Sequence, residues 1–330
     1  MDLRQLRSLV ALVDHGFSVS RAAEYLHLVQ PAVSQHLRSL ESTLGTPLFQ
    51  RHGKRLVGLT DAGAQVLRHA RSMLAEAASI VAVGRDHVEE ARGVLRIGTT
   101  HTQARYVLPS VVQQFCTAYP EVEVQIHQGT PAELVEMALA DRVDLAICTE
   151  AIGEHPAFLT LPCYRWNRSL IATPGHPVLN RRPISLGVLC EYPLITYVAG
   201  FTGRTSLSQT FAKVGLHPKV VLSAADADVI KTYVRAGMGV GIIADLAFEE
   251  DLDADLERRS ISHLFPWEVT RLAYPKNKYV RRFQQRFIEL FQQQANGIGR
   301  GTGGHPAASK DAVPCERALM GGFRAAAADR

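Results

Sequence analysis

Apolar and polar positions alternate along this chain in three rhythms. Over the first sixty residues the period is helical and short. Leu3, Leu6, Val10 and Val13 recur at three- and four-residue spacing and predict one amphipathic helix. Ser18 is placed to N-cap a second helix over residues 21–26. Pro31 opens a third, with an apolar stripe at Val33, Leu37, Leu40 and Leu44. The connection over residues 27–30 is as short as a helix-turn-helix requires. Beyond Gly45, "LFQRHGKRLVGLT" has two apolar ends around His52-Gly53, the pattern of a hairpin with a basic tip.

A second rhythm runs over residues 60–86, helical and nearly free of breakers. Val66, Ala70, Met73, Ala77 and Ile80 alternate spacings of four and three, a heptad seam that buries itself against another helix. At 1.5 Å per residue, about 25 residues span on the order of 38 Å. Such a helix can lie across its own domain or pair with a second copy. Its isolation between two compact regions favours dimerisation.

From Gly93 the third rhythm sets in, short apolar runs alternating with amphipathic stretches. Strands are expected at residues 94–98, 122–127, 145–148, 194–197, 220–223, 239–243 and 271–274, with helices at 109–118, 131–138, 206–214 and 226–236. Strands alternating with helices predict parallel α/β sheets, here enough for two lobes with a ligand at the carboxyl ends of the strands. From Ala295 the text is Gly-, Ala- and Pro-rich with no sustained apolar pattern, and is expected to be disordered. The boundaries that follow are 1–59, 60–92, 93–294 and 295–330.

Composition sharpens this picture modestly. With 330 residues, 46% of them hydrophobic and 21% charged, the chain has the make-up of a multi-domain globular protein. No apolar run approaches the about 18 residues of a membrane span, and the first residues lack a secretory pattern. A cytoplasmic protein is expected. Five scattered cysteines (Cys116, Cys148, Cys163, Cys190, Cys315) without CxxC spacing speak against a disulfide framework or zinc site. The net charge is +4, but the first sixty residues hold seven basic against four acidic side chains, which points to an anionic partner for that region.

One turn raises a question of chemistry. "GTTHTQARYVLP", residues 98–109, sets three threonines, a histidine and a glutamine where a strand hands over to a helix. Two readings fit. The threonines can cap the helix. Alternatively hydroxyls, a side-chain amide and backbone N–H groups form an uncharged donor cage for a small oxyanion.

The order of parts resembles a LysR-type transcriptional regulator over residues 1 to about 294, and "RAAEYLHLVQPAVSQHLRSLESTLGTPLFQR" is similar to that family's DNA-binding signature. "TTHTQARYVLP", "LPCYRWNR", "FTGRT" and "DADVIKTYVRAGMGVGIIA" resemble the branch that controls cysteine biosynthesis and sulfur assimilation, the CysB and Cbl type. The resemblance implies a two-lobed α/β effector domain of periplasmic-binding-protein type. Before it come an all-α winged helix-turn-helix domain and a long dimerisation helix. It also implies a homodimer or homotetramer that binds double-stranded promoter DNA and RNA polymerase, without a cofactor or membrane.

On the third helix the face opposite the apolar stripe carries Ser34, Gln35 and Arg38, which a recognition helix presents to base edges. Gln30 and Pro31 sit at its start and Ser20 and Arg21 at the start of the second helix, positions for backbone contacts. Arg51, Lys54 and Arg55 on the hairpin are expected at phosphates or the minor groove. The family has Ser or Thr before Gln-Pro, whereas this chain has Val29, so a phosphate-contacting hydroxyl is missing.

In the effector domain the resemblance assigns Thr100, Thr102 and Gln103, with Thr149, Trp166 and Thr202, to a cleft holding sulfate or an acylserine such as N-acetylserine. Arg204 and Glu150 are secondary candidates for its charged groups, and His101 is read as structural. Gly237, Gly239 and Gly241 follow a helix and lead into a strand, the reverse of a dinucleotide loop. No nucleophile with a placed base, metal spacing or phosphate loop is present, so no enzyme is expected. A transport solute-binding protein fits the α/β half alone.

Overall fold

The computed structural model describes residues 1–53, 55–88, 91–153, 155–201 and 203–301. Helix α1 (Leu3–Asp14) opens with a reciprocal capping box between Asp2 and Gln5. Helix α2 (Val19–Tyr25) is capped by Ser18, whose hydroxyl accepts from the Arg21 N–H. Helix α3 (Gln30–Leu44) ends at Gly45, whose φ of 65° is the left-handed turn a glycine supplies without strain. Strands β1 (Phe49–His52) and β2 (Arg55–Leu59) pair antiparallel as the wing. Leu6, Leu9 and Leu12 of α1 close on Val33, Leu37 and Leu40 of α3.

Helix α4 (Asp61–Val88) runs 28 residues, about 42 Å. Its seam divides. Ala70 is buried in the N-terminal core, with Val66, Leu67 and Leu74 packed beside it, and Arg71 pairs with Asp14 at 2.6 Å. Past that point Met73 and Ile80 are 44% and 74% exposed. The first turns therefore belong to the winged domain, and the apolar residues beyond them lie open.

The rest of the chain builds two lobes. The first holds β3 (Gly93–Thr99), α5 (His101–Tyr106), α6 (Leu108–Ala118), β4 (Val122–Gln128), α7 (Pro131–Leu139), β5 (Leu145–Cys148) and β6 (Phe158–Trp166). After Asn167 the second lobe follows as β7 (Arg168–Ala172), α8 (Leu186–Cys190), β8 (Leu194–Tyr197), α9 (Arg204–Lys213), β9 (Val220–Ala224), α10 (Ala227–Arg235), β10 (Val240–Ala244) and β11 (Glu257–Ser260). The chain then returns through β12 (Glu268–Pro275) and α11 (Arg282–Gly301) to complete the first lobe. Sheet orders are β4-β3-β5-β12-β6 and β11-β7-β10-β8-β9.

The sheets are mixed, which corrects the parallel arrangement expected from the alternation. β12 is antiparallel to β5 and β6, and β7 is antiparallel to β10 and β11. Strands where the chain changes lobe need no crossover helix, so they carry no alternation to read. Three strands escaped the pattern for related reasons. β6 contains Pro162, tolerated on an edge strand where the register with β12 shifts. β7 follows after the single residue Asn167, and β11 has only four residues. The region read as tail from Ala295 is helical as far as Gly301, because Phe283, Phe287, Phe291 and Ala295 bury one face of α11. The remainder of that tail, 302–330, lies outside the described residues, as does Cys315.

Candidate functional site

The face opposite the α3 core stripe stands open. Gln30, Pro31, Gln35 and Arg38 are exposed and Ser34 half-buried, with Ser20 and Arg21 exposed at the start of α2. Arg38 is steadied by its Nε, which donates to the Ser34 carbonyl at 3.3 Å. On the wing Arg55 is exposed, while Arg51 pairs with Glu41 at 2.9 Å. Glu41 also accepts from the Leu48 N–H at 2.8 Å, so Arg51 fastens the wing to α3. Lys54 lies outside the described residues. Val29 sits at the N-cap of α3 with no side-chain cap and is 69% exposed.

The "TTHTQ" turn delivers its polar groups to the region between the lobes. β3 ends at Thr99, whose hydroxyl donates to the Ile147 carbonyl at 3.0 Å. Thr100 then precedes α5, buried as a residue and without a side-chain cap. Capping by that side chain is thus not what the residue does. Gln103 is buried and bridges two residues: its carbonyl accepts from the Tyr164 hydroxyl and its amide donates to Thr270 at 3.5 Å. The Thr270 and Thr149 hydroxyls lie 3.4 Å apart, and the Trp166 indole N–H donates to Thr149 at 3.2 Å. Tyr164–Gln103–Thr270–Thr149–Trp166 is therefore one continuous chain of polar groups. Thr102 points the other way, to the Tyr197 hydroxyl of the second lobe. That hydroxyl also accepts from the Ala244 N–H at 3.2 Å, and burial pushes its pKa up to about 12. Thr202 lies outside the described residues.

Helix α5 continues from this turn into a bridge between lobes. His101 Nε2 is 3.4 Å from Asp228, and Arg105 pairs with Glu249 at 2.9 Å. The Tyr106 hydroxyl donates to Asp228 at 2.6 Å and receives from Lys231 at 3.3 Å. The structural reading of His101 thus acquires a specific partner. Donor atoms of His101, Asp226 and Asp228 lie within 4.8 Å of one another, a spacing open to a metal ion. Arg105 and Lys231 stand 3.9 and 3.8 Å from Asp228, however, and their charges oppose a divalent cation there.

Two independent matches decide the identity. The bacterial regulatory helix-turn-helix protein, lysR family, matches residues 3–64, and the LysR substrate binding domain matches residues 89–296. This chain belongs to the LysR family. It is 42% identical over 296 residues to the HTH-type transcriptional regulator CysB of Burkholderia cenocepacia, covering 90% of this chain and 95% of that one. The HTH-type transcriptional regulator SsuR of the same organism is 39% identical over 296 residues, covering 90% and 96%. The crystal structure of the cofactor-binding domain of the Cbl transcriptional regulator superposes with a TM-score of 0.60 at 38% identity, over 64% of this chain and 93% of that one. The family and fold expected from the sequence hold.

The relatives that this chain matches are transcriptional regulators of the LysR family. Cys148 is buried, and burial with the neighbouring Glu150 charge pushes its thiol up to about 12, far from a reactive thiolate. Sequence reasoning missed four residues of the regulator's cleft: Tyr164, Arg168, Glu268 and Thr270. Tyr164 and Arg168 flank Trp166 in "YRWNR", so adjacency in a β-strand run was their only signal. Glu268 and Thr270 arrive on β12 from about a hundred residues away, and no local spacing announces them. Arg204 donates to Ser208 at 3.0 Å within α9, while Glu150 faces Glu268 and Arg168.

Proposed function

We propose that this LysR-type regulator controls genes of sulfur assimilation and cysteine biosynthesis, as an activator whose effector is N-acetylserine or sulfate. The observation that carries this is the buried chain of polar groups through Gln103, Thr149 and Trp166, with Thr102 beside it reaching across to Tyr197. An effector exchanging hydrogen bonds with Thr100, Thr102, Gln103, Thr149, Trp166 and Thr202 alters how the lobes close. The change passes through residues 60–92 to the winged domain, residues 1–59. There Ser20, Arg21, Gln30, Pro31, Ser34, Gln35, Arg38, Arg51, Lys54 and Arg55 hold the promoter. By linkage, the effector and the activating DNA geometry favour each other.

In this reading the working form is a homodimer or homotetramer in the cytoplasm, joined through the open apolar turns of α4, that recruits RNA polymerase. The effector unit is residues 93–294, with 295–330 dispensable for DNA binding. A second reading is a paralogue governing sulfonate or sulfate-ester use and answering to sulfate or adenylyl sulfate. The near-equal identities to CysB and SsuR, 42% and 39%, support keeping both. A solute-binding protein is disfavoured by the helix-turn-helix at residues 3–64.

Fluorescence anisotropy on a cysteine-biosynthesis promoter fragment tests the proposal, with no ligand, N-acetylserine, sulfate or sulfide, repeated with Thr102→Ala and Gln103→Ala. A shift with N-acetylserine that both substitutions abolish is expected. A response to sulfate alone favours the paralogue, and indifference to every ligand sinks the effector reading.

A further inference from the structure

Arg168 opens β7 at the point where the chain first leaves the first lobe, and its side chain is only 2% exposed. Its Nη2 is doubly engaged, donating to the Gly203 carbonyl at 2.7 Å and to Glu268 at 2.8 Å. Its Nη1 is buried and has no hydrogen-bond partner among the described residues. A buried guanidinium donor without an acceptor is costly, and proteins keep few of them.

The neighbours of this side chain place it at the cleft. The guanidinium carbon lies 5.4 Å from the centre of the Trp166 ring and 5.3 Å from that of Phe265. Trp166 is the terminus of the polar chain through Thr149 and Gln103. On another side is Gly203, next to Thr202, with a φ of 70°. A Cβ there would run into Nη2, so the backbone approaches this closely only because the residue is glycine.

We infer that Arg168 reads the charge of the effector, its free Nη1 donating to an anionic oxygen, a carboxylate or sulfate, of the small acid held in this cleft. The inference rests on the cleft being the effector site. A guanidinium has five N–H donors in a fixed fork and cannot give up its proton, which suits it to hold one carboxylate while offering a second edge to another. Glu268 is then the internal competitor: it takes half of the fork, and its charge opposes the incoming anion. Burial and the Glu268 charge already hold the Glu150 carboxyl above the usual range, so this neighbour is predisposed to accept a proton when a second anion arrives. The donor cage of threonines and glutamine gives shape, and Arg168 supplies the preference for charge.

The test uses the full chain with an isosteric pair of probes, N-acetylserine and its neutral amide N-acetylserinamide, with sulfate as a third. Binding is followed by calorimetry and by fluorescence of Trp166 and Trp267, the two tryptophans of the chain. The wild type is expected to prefer the acid over the amide. Arg168→Gln should weaken acid binding about ten- to hundred-fold, the worth of a hydrogen bond to a charged group, and leave the amide nearly unchanged. Arg168→Lys should fall between. Glu268→Gln should tighten the acid several-fold (roughly, from removing one nearby like charge) and not the amide, a gain that misfolding cannot produce. An unchanged acid-to-amide ratio in Arg168→Gln overturns the inference and leaves the effector site standing. If Arg168→Gln does not fold, Glu268→Gln decides alone, since unaltered or weaker acid binding counts against Arg168. A wild type that binds neither acid, amide nor sulfate removes the effector reading and this inference with it.

Discussion

The Tyr106 hydroxyl donates to the Asp228 carboxylate at 2.6 Å, tying α5 of the first lobe to α10 of the second only a few residues after the "TTHTQ" turn. Burial alone would raise the Asp228 carboxyl, but the Tyr106 and His101 hydrogen bonds and the Lys231 and Arg105 charges outweigh it and hold it below its ordinary 3.8. A lowered carboxyl contributes stability that is present above the ordinary value and lost as pH falls through the lowered one. Asp228→Asn should therefore cost about 1 kcal/mol at neutral pH, a modest figure because the side chain is 44% exposed. The cost should shrink on acidification below the ordinary value. Thermal melts of both proteins at neutral and acidic pH check this; a difference that grows toward low pH contradicts it.

Glu150 runs the opposite way. Burial first, and the Glu268 charge second, raise its carboxyl above 4.5 against the pull of Arg168 and the Gly203 N–H. Its contribution is fully present below the ordinary value and lost as pH rises through the raised one, so the ionised form is a cost at neutral pH. Glu150→Gln, which keeps an acceptor for Gly203, should melt higher than wild type at neutral pH and lose that advantage near pH 4. A lower melting temperature at neutral pH would falsify the assignment.

Val29 leaves the first turn of α3 without a side-chain acceptor. Val29→Thr supplies one and should add about 1 kcal/mol to the winged domain. If that hydroxyl also meets phosphate, as the family resemblance implies for a Ser or Thr before Gln30-Pro31, promoter affinity should rise across all sequences rather than at one base. Equilibrium denaturation and anisotropy on specific and random duplexes separate the two effects.

Gly63 sits where α4 passes over the Leu48 backbone, and an added Cβ would collide with that carbonyl. Gly63→Ala should cost about 1–3 kcal/mol, because rigid backbone must move to admit it. Gly84, on the same helix with nothing within 4 Å, is the matched control. There alanine should stabilise by about 0.5–1 kcal/mol through helix propensity. Equal effects at the two positions would mean that α4 is not seated on the winged domain.

Much of this architecture was legible because it rests on local periodicity. α4 announced itself by its heptad spacing, expected at 60–86 and found at 61–88, and β5 and β8 announced themselves by short apolar runs whose bounds are those in the structure. What stayed hidden depends on pairing between distant segments. β12 inserts between β5 and β6, and only that insertion brings Thr270 to Gln103, 167 positions away. Arg168 and Glu268 meet across 100 positions for the same reason. Family resemblance supplied the cleft residues on one strand-to-helix turn, whereas the groups completing their hydrogen bonds carry no motif of their own.

The return of the chain to its first lobe also sets an order of events on the ribosome. Every strand of the second sheet lies within 168–260, whereas the first sheet awaits β12, residues 268–275, before its edge strand β6 has a neighbour. The face beneath it stays open until Phe287 of α11 closes on Phe115 at 5.5 Å between ring centres. During synthesis the later-encoded lobe is thus the first that can finish, and a growing chain halted before residue 268 presents a completed second lobe beside an unfinished first. The region that reads the effector comes into being only when the last described helix has emerged.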